Sequence, residues 1–114
     1  MKDTLNLMKA LSDEIRVRII NLLFQSDLYV CEIVEILNLP QSTVSRHLTI
    51  LKNANIVINN KEGLWIKYNL NKDNQYFIIK DIVINNLNKD EKCIEDIEKL
   101  KNIINSNRGC QNKN

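Results

Sequence analysis

The run Leu39-Pro40-Gln41-Ser42-Thr43-Val44-Ser45-Arg46-His47-Leu48-Thr49-Ile50-Leu51-Lys52 decides the fold, because its two faces differ in kind. With Val44 at zero on a helical wheel, Leu48 and Leu51 share one narrow stripe, since residues four and seven apart lie on one face. Ser42, Arg46, Thr49 and Asn53 then point away from it. Such an outer face suits a helix entering the major groove. Short side chains let the backbone approach, hydroxyls and amides meet phosphates and base edges, and a guanidinium forks onto guanine or phosphate. An ordinary surface helix carries mixed Glu and Lys pairs instead. Here no acidic residue lies between Pro40 and Lys61.

Upstream, Val30, Ile33, Val34 and Leu37 recur at i, i+3, i+4 and i+7, which predicts a short helix with Glu32 and Glu35 on its outer side. Asn38-Leu39-Pro40 ends it. Proline cannot continue the first helix but is tolerated in the first turn of the next, so two helices meet through a turn of about three residues, a helix-turn-helix. Downstream, Ile56-Val57-Ile58 and Leu64-Trp65-Ile66-Lys67-Tyr68-Asn69-Leu70 flank the polar loop Asn59-Asn60-Lys61-Glu62-Gly63 and read as a β-hairpin wing. Lys61 at its tip and Lys67 on its second strand are placed to meet phosphates, with Trp65 or Tyr68 anchoring the hairpin. The candidate DNA contacts are therefore Gln41, Ser42, Thr43, Ser45, Arg46, His47, Thr49, Lys61 and Lys67. For His47 the readings are a groove-edge or phosphate contact, or a packing residue.

Four segments in this order, Ala10 to Ile20, Leu28 to Ile33, Gln41 to Leu48 and Gly63 to Tyr68, resemble the ArsR/SmtB family of winged-helix metal- and metalloid-responsive repressors. The resemblance covers residues 4 to 88. It implies a winged helix-turn-helix of order α-α-α-α-β-β-α(-α), mainly α with a small β-hairpin. It also implies a homodimer that binds double-stranded operator DNA when empty and leaves it when a soft metal or metalloid binds.

At 114 residues with 44% hydrophobic content, the chain suits one domain over residues 1–106, followed by a mobile tail over 107–114. The overall charge of +2 is small but uneven. Residues 41 to 70 hold Arg46, Lys52, Lys61 and Lys67 against Glu62 alone, so the surplus falls on the proposed DNA face. No apolar run approaches the ~20 residues of a membrane span, and Asp3, Asp13 and Glu14 interrupt any signal-peptide pattern, so a cytoplasmic protein is expected.

Two helices precede the motif, with Leu5, Met8 and Leu11 on the first and Ile15, Ile19, Leu22 and Leu23 on the second, after Ser12-Asp13 as a cap. Beyond the wing, Tyr76 to Leu87 places Ile78, Ile79, Ile82, Val83 and Leu87 around more than one face. That excess needs a cover, and with the first helix it predicts the seam of a symmetric dimer. Lys89-Asp90-Glu91-Lys92 then breaks or caps the chain before a last amphipathic helix on Ile94, Ile97, Leu100 and Ile104.

Three cysteines, an odd number with no secretory signal, argue for free thiols, metal binding or redox chemistry rather than a structural disulfide framework. Arsenite-responsive members of the family carry Cys-Val-Cys on the first helix of the motif; here the same place reads Tyr29-Val30-Cys31. Cys31, Cys93 and Cys110 are the candidate metal ligands, three thiolates being the set that As(III) or Sb(III) prefers. In one continuous helix Cys93 and Cys110 would stand about 25 Å apart, so sharing an ion needs a fold-back after Gly109 or a contribution from the other protomer. His47 is the sole histidine, which rules out the His-rich zinc, nickel or cobalt sites of other members.

A repressor released by a thiophilic ligand, most simply arsenite, is the expected function, with no cofactor required. A redox- or persulfide-responsive repressor would use the same thiols without metal. A winged-helix protein-interaction module has no use for the cationic face around Arg46. An enzyme is not expected, since one histidine and no Gly-rich phosphate loop leave no catalytic constellation.

Overall fold

The structure is a computed structural model and describes residues 1–73 and 75–106. Among these the chain forms helices α1 (Lys2–Leu11) and α2 (Glu14–Gln25), a short strand β1 (Leu28–Tyr29), helices α3 (Val30–Leu37) and α4 (Gln41–Asn53), strands β2 (Val57–Glu62) and β3 (Trp65–Leu70), and helices α5 (Tyr76–Leu87) and α6 (Glu91–Ser106). This is a winged helix-turn-helix. The tail expected over 107–114 lies outside the described residues.

The expected caps form. Asp13 accepts hydrogen bonds from the N–H groups of Ile15 and Arg16 at 2.9 and 3.2 Å and starts α2. Asp90 accepts from the N–H of Cys93 at 3.0 Å at the start of α6. Between α3 and α4, Asn38 takes the left-handed conformation (φ 55°, ψ 47°) and Pro40 sits at the N-cap of α4. Asparagine tolerates that conformation better than most residues, and proline carries no N–H to lose at a helix start.

One element was not legible in advance. Leu28 pairs with Tyr68 and Tyr29 with Lys67, so β1 joins the hairpin in an antiparallel sheet of order β1-β3-β2. Two residues are too few to show a period of two. The wing is also longer than its apolar runs: β2 continues through Asn59, Asn60, Lys61 and Glu62, and the turn is only Gly63-Leu64. Backbone hydrogen bonds hold that ladder, so side chains wet on both faces can extend it. Gly63 supplies the positive φ (+63°) that the tight turn demands. Leu64, expected in the second strand, stands at the tip, 93% exposed.

The core lies where α2, α3 and α4 meet the sheet, with Ile19, Ile20, Leu22, Ile33, Ile36, Val44, Leu48 and Leu51 shut off from solvent. α6 closes it from the α2 and α3 side through Leu100 and Ile103. A buried ion pair sits there as well. Arg18 donates from Nε and Nη2 to the two carboxylate oxygens of Asp96 at 2.8 and 2.9 Å, a two-point contact that fixes α6 on α2.

Candidate nucleic-acid interface

The helical wheel of α4 holds in three dimensions. Val44, Leu48 and Leu51 are buried, whereas Gln41, Ser42, Arg46, Thr49 and Asn53 are exposed, with Thr43 and Ser45 half-buried beside them. α4 starts without a side-chain cap and with no acidic residue in its first turn, so the positive end of its dipole suits an anion. Thr49 donates its hydroxyl back to the Ser45 carbonyl at 2.9 Å, leaving oxygen lone pairs outward.

His47 departs from the expected set. Its ring is 3% exposed, and Nδ1 lies 3.1 Å from the Arg16 guanidinium and 3.9 Å from Asp13. A buried ring cannot reach a phosphate or base edge, so its packing role is the one the structure shows. The wheel explains why: position 47 lies next to Leu48 and Leu51, on the flank of the buried stripe that meets the α1–α2 corner. Burial, and then the cations Arg46 and Arg16, hold the imidazole below its ordinary pKa against the pull of Asp13.

The wing is tied to the motif by Tyr29, a residue to which the sequence reading assigned no role. Its hydroxyl donates to Glu62 at 3.0 Å, and its ring lies 5.3 Å from the Lys67 ammonium. Its own N–H donates to Glu32 at 2.8 Å, so Glu32 caps α3 rather than merely facing water. Lys61 is exposed at the end of β2, and Lys67 is half-buried over Tyr29. Of the two anchor candidates, Tyr68 is buried and accepts from the Asn59 amide at 3.3 Å, while Trp65 is only half-buried. The start of α3, the wing and its cations thus form one connected surface beside α4.

Among the described residues, Cys31 and Cys93 stand on different helices and are not bonded to each other. Cys31, half-buried in the first turn of α3, is disulfide-bonded. Cys93 is a free buried thiol on α6, pushed up to about 11 by burial and by the nearby Asp90 carboxylate. At neutral pH it is protonated, the poorer form for a soft ion. Cys110 lies outside the described residues. Among the described residues no three His, Cys, Asp or Glu side chains converge to hold an ion.

This architecture has close relatives. A model described as "Bacterial regulatory protein, arsR family" matches residues 13–59, from the cap of α2 into β2. An uncharacterised HTH-type transcriptional regulator of Methanocaldococcus jannaschii is 43% identical over 76 residues, 66% of this chain and 76% of that protein. The chain belongs to the ArsR family. Another relative is the transcriptional repressor PagR of Bacillus anthracis, 37% identical over 81 residues, 70% of this chain and 81% of PagR. The PagR crystal structure aligns with a TM-score of 0.62 at 36% identity, covering 71% of this chain and 93% of that one. The arsenical resistance operon repressor of Escherichia coli is 36% identical over 67 residues, 58% of this chain and 57% of its own length. This ArsR-family chain is accordingly a DNA-binding transcriptional repressor and not an enzyme. Among the described residues no helix is long and apolar enough to cross a membrane.

Proposed function

We propose that this ArsR-family repressor acts in the cytoplasm as a homodimer, reads a two-fold symmetric operator through α4 and the wing, and is released by thiol chemistry at Cys31. The observation that carries the reading is the split character of α4, apolar inside save for His47 on its flank, and hydroxylated and cationic outside. The proposed contacts are Gln41, Ser42, Thr43, Ser45, Arg46 and Thr49 on α4, with Lys61 and Lys67 on the wing. One unit over residues 1–106 carries reading and dimerisation together.

Dimerisation is supported by the apolar surface that α1 and α5 leave uncovered: Leu5, Met8, Phe77, Ile78 and Ile82 are all exposed in the single chain. Two reading helices must reach major-groove faces about 34 Å apart, which a symmetric pair achieves. Ile82→Glu should therefore convert a dimer to a monomer in sedimentation at micromolar concentration. A dimer of normal mass would mean that the seam lies elsewhere.

Arsenite is the first candidate inducer, on the strength of the relative named for arsenical resistance. The described residues of one protomer do not themselves offer a three-thiolate set, so this reading needs Cys110 or a cysteine of the second protomer. The disulfide at Cys31 favours a second reading, release by oxidation. In that reaction Cys31 and another thiol lose two protons and two electrons to a two-electron oxidant. Strain at the first turn of α3 would then shift α4.

Reduced protein on a fluorescent duplex, selected by the protein from random sequences, is titrated with arsenite and, separately, with diamide. Release by arsenite with a matching mass increase supports the metalloid reading; release by diamide, reversed by dithiothreitol, supports the redox one. Cys31→Ser should bind DNA and fail to respond. If it responds like the parent, Cys31 is not the sensor.

A further inference from the structure

Arg16 joins three helices with one guanidinium. Its Nε donates to the Ala10 carbonyl at 2.8 Å and its Nη2 to the Lys9 carbonyl at 3.0 Å, both in the last turn of α1, where Lys9 also accepts from the N–H and hydroxyl of Ser12. Its Nη1 lies 3.1 Å from His47 Nδ1 on α4. A guanidinium has only donors to offer, so this contact is a hydrogen bond when Nδ1 is the acceptor, which requires a neutral imidazole with its proton on Nε2. A proton on Nδ1 would set two donors against each other at that distance, and in the imidazolium two like charges as well, around a ring that is itself buried.

We propose that His47 is a positioning residue for DNA binding: as a neutral acceptor it latches α4 through Arg16 to the α1–α2 corner, and its protonation unlatches the reading helix and weakens the hold on the operator. The proposal rests on α4 being the reading helix. It adds a link from α1, one side of the proposed dimer seam, to the DNA face.

Among the described residues the charged groups acting on the ring are Asp13 at the N-cap of α2, Arg16 on α2 and Arg46 on α4 itself; none from α3 or β2, which also pack on α4, is among them. Asp13 alone favours protonation. Its carboxylate is already engaged by the Ile15 and Arg16 amides and by the Arg16 side chain at 3.8 Å. Against the cost of burial, those Arg16 contacts hold the Asp13 carboxyl below its ordinary value, so it remains ionised through the range in which a histidine titrates.

The sign of the pH effect is set by linkage. The latched ring has a pKa below the ordinary 6.5, and an unlatched, wetted ring returns toward it. Affinity is therefore full above about pH 6.5 and falls as pH drops toward the latched value, by at most about tenfold per pH unit for each protomer. Because DNA selects the latched state, the His47 pKa should be lower in the complex than in free protein.

Affinity for the selected duplex, measured by anisotropy from pH 7.5 to 5.5 at constant ionic strength, tests this with circular dichroism as the folding control. The parent should lose about three- to tenfold by pH 5.5, within the linkage limit. His47→Asn, whose Oδ1 keeps an acceptor near the Nδ1 position and does not titrate, should hold its pH 7.5 affinity and lose the slope. A flat parent profile, or an unchanged slope in a folded His47→Asn, overturns the proposal. NMR titration of the sole histidine needs no variant, and equal pKa values with and without DNA would also overturn it. Failure of the underlying reading looks different: Arg46→Ala would then leave affinity unchanged at every pH.

Discussion

Helices α4 and α6 carry comparable amphipathic patterns, yet only one of them buries the face that its apolar residues mark. In α4 the stripe Val44, Leu48, Leu51 is the buried stripe. In α6 the apolar stripe Ile94, Ile97, Leu100, Ile104 is rotated by about one residue from the buried one, which is Cys93, Asp96, Leu100 and Ile103. Ile94 and Ile104 are 43% and 53% exposed. The cause is Arg18, which draws Asp96 inward and turns the helix until the carboxylate is covered. Hydrophobic periodicity locates a buried face when burial is driven by apolar area alone. It loses the phase when a charge pair decides the rotation.

Breaking that pair gives the largest expected effect. Asp96→Ala leaves Arg18 buried and unpaired and should cost about 3–5 kcal/mol in urea unfolding, while the double replacement Arg18→Met with Asp96→Leu should recover most of it. If Asp96→Ala is nearly silent, the pair does not set the rotation of α6. On α4, Leu48→Ala should cost about 2–5 kcal/mol by loss of burial and the cavity left behind.

The outer face of α4 sharpens the contrast, because its residues matter to DNA and not to folding. Arg46→Ala should leave the unfolding midpoint in place and weaken operator binding by about 1–3 kcal/mol if Arg46 reads a base. If it meets a phosphate instead, the slope of log affinity against log salt should fall by about one for every duplex tested. A folded Arg46→Ala with unchanged affinity and slope would remove α4 as the reader.

The smallest expected effect falls at Ile104, set against its neighbour. Ile103→Ala should destabilise by about 2–4 kcal/mol, whereas Ile104→Ala should stay within about 0.5 kcal/mol, since only the first is closed off from water. Equal costs at the two positions would show that Ile104 is covered in solution, as a second protomer lying along α6 would require.

Residues 30 to 53 determined the helix-turn-helix by themselves, because a period of 3.6, a proline stop and a cap are local signals that need no partner to be read. The same locality makes the outward set Ser42, Arg46, Thr49 and Asn53 legible from the sequence alone. Only the tertiary structure decided the rest. β1 exists because Tyr68 and Lys67, some forty residues later, complete its ladder. His47 left the groove face because Arg16 and the carbonyls of α1 meet there. The phase of α6 followed from a partner 78 positions away. Each of these is a polar contact between segments distant in sequence, and a hydrogen bond or ion pair carries no period along the chain that could announce its partner.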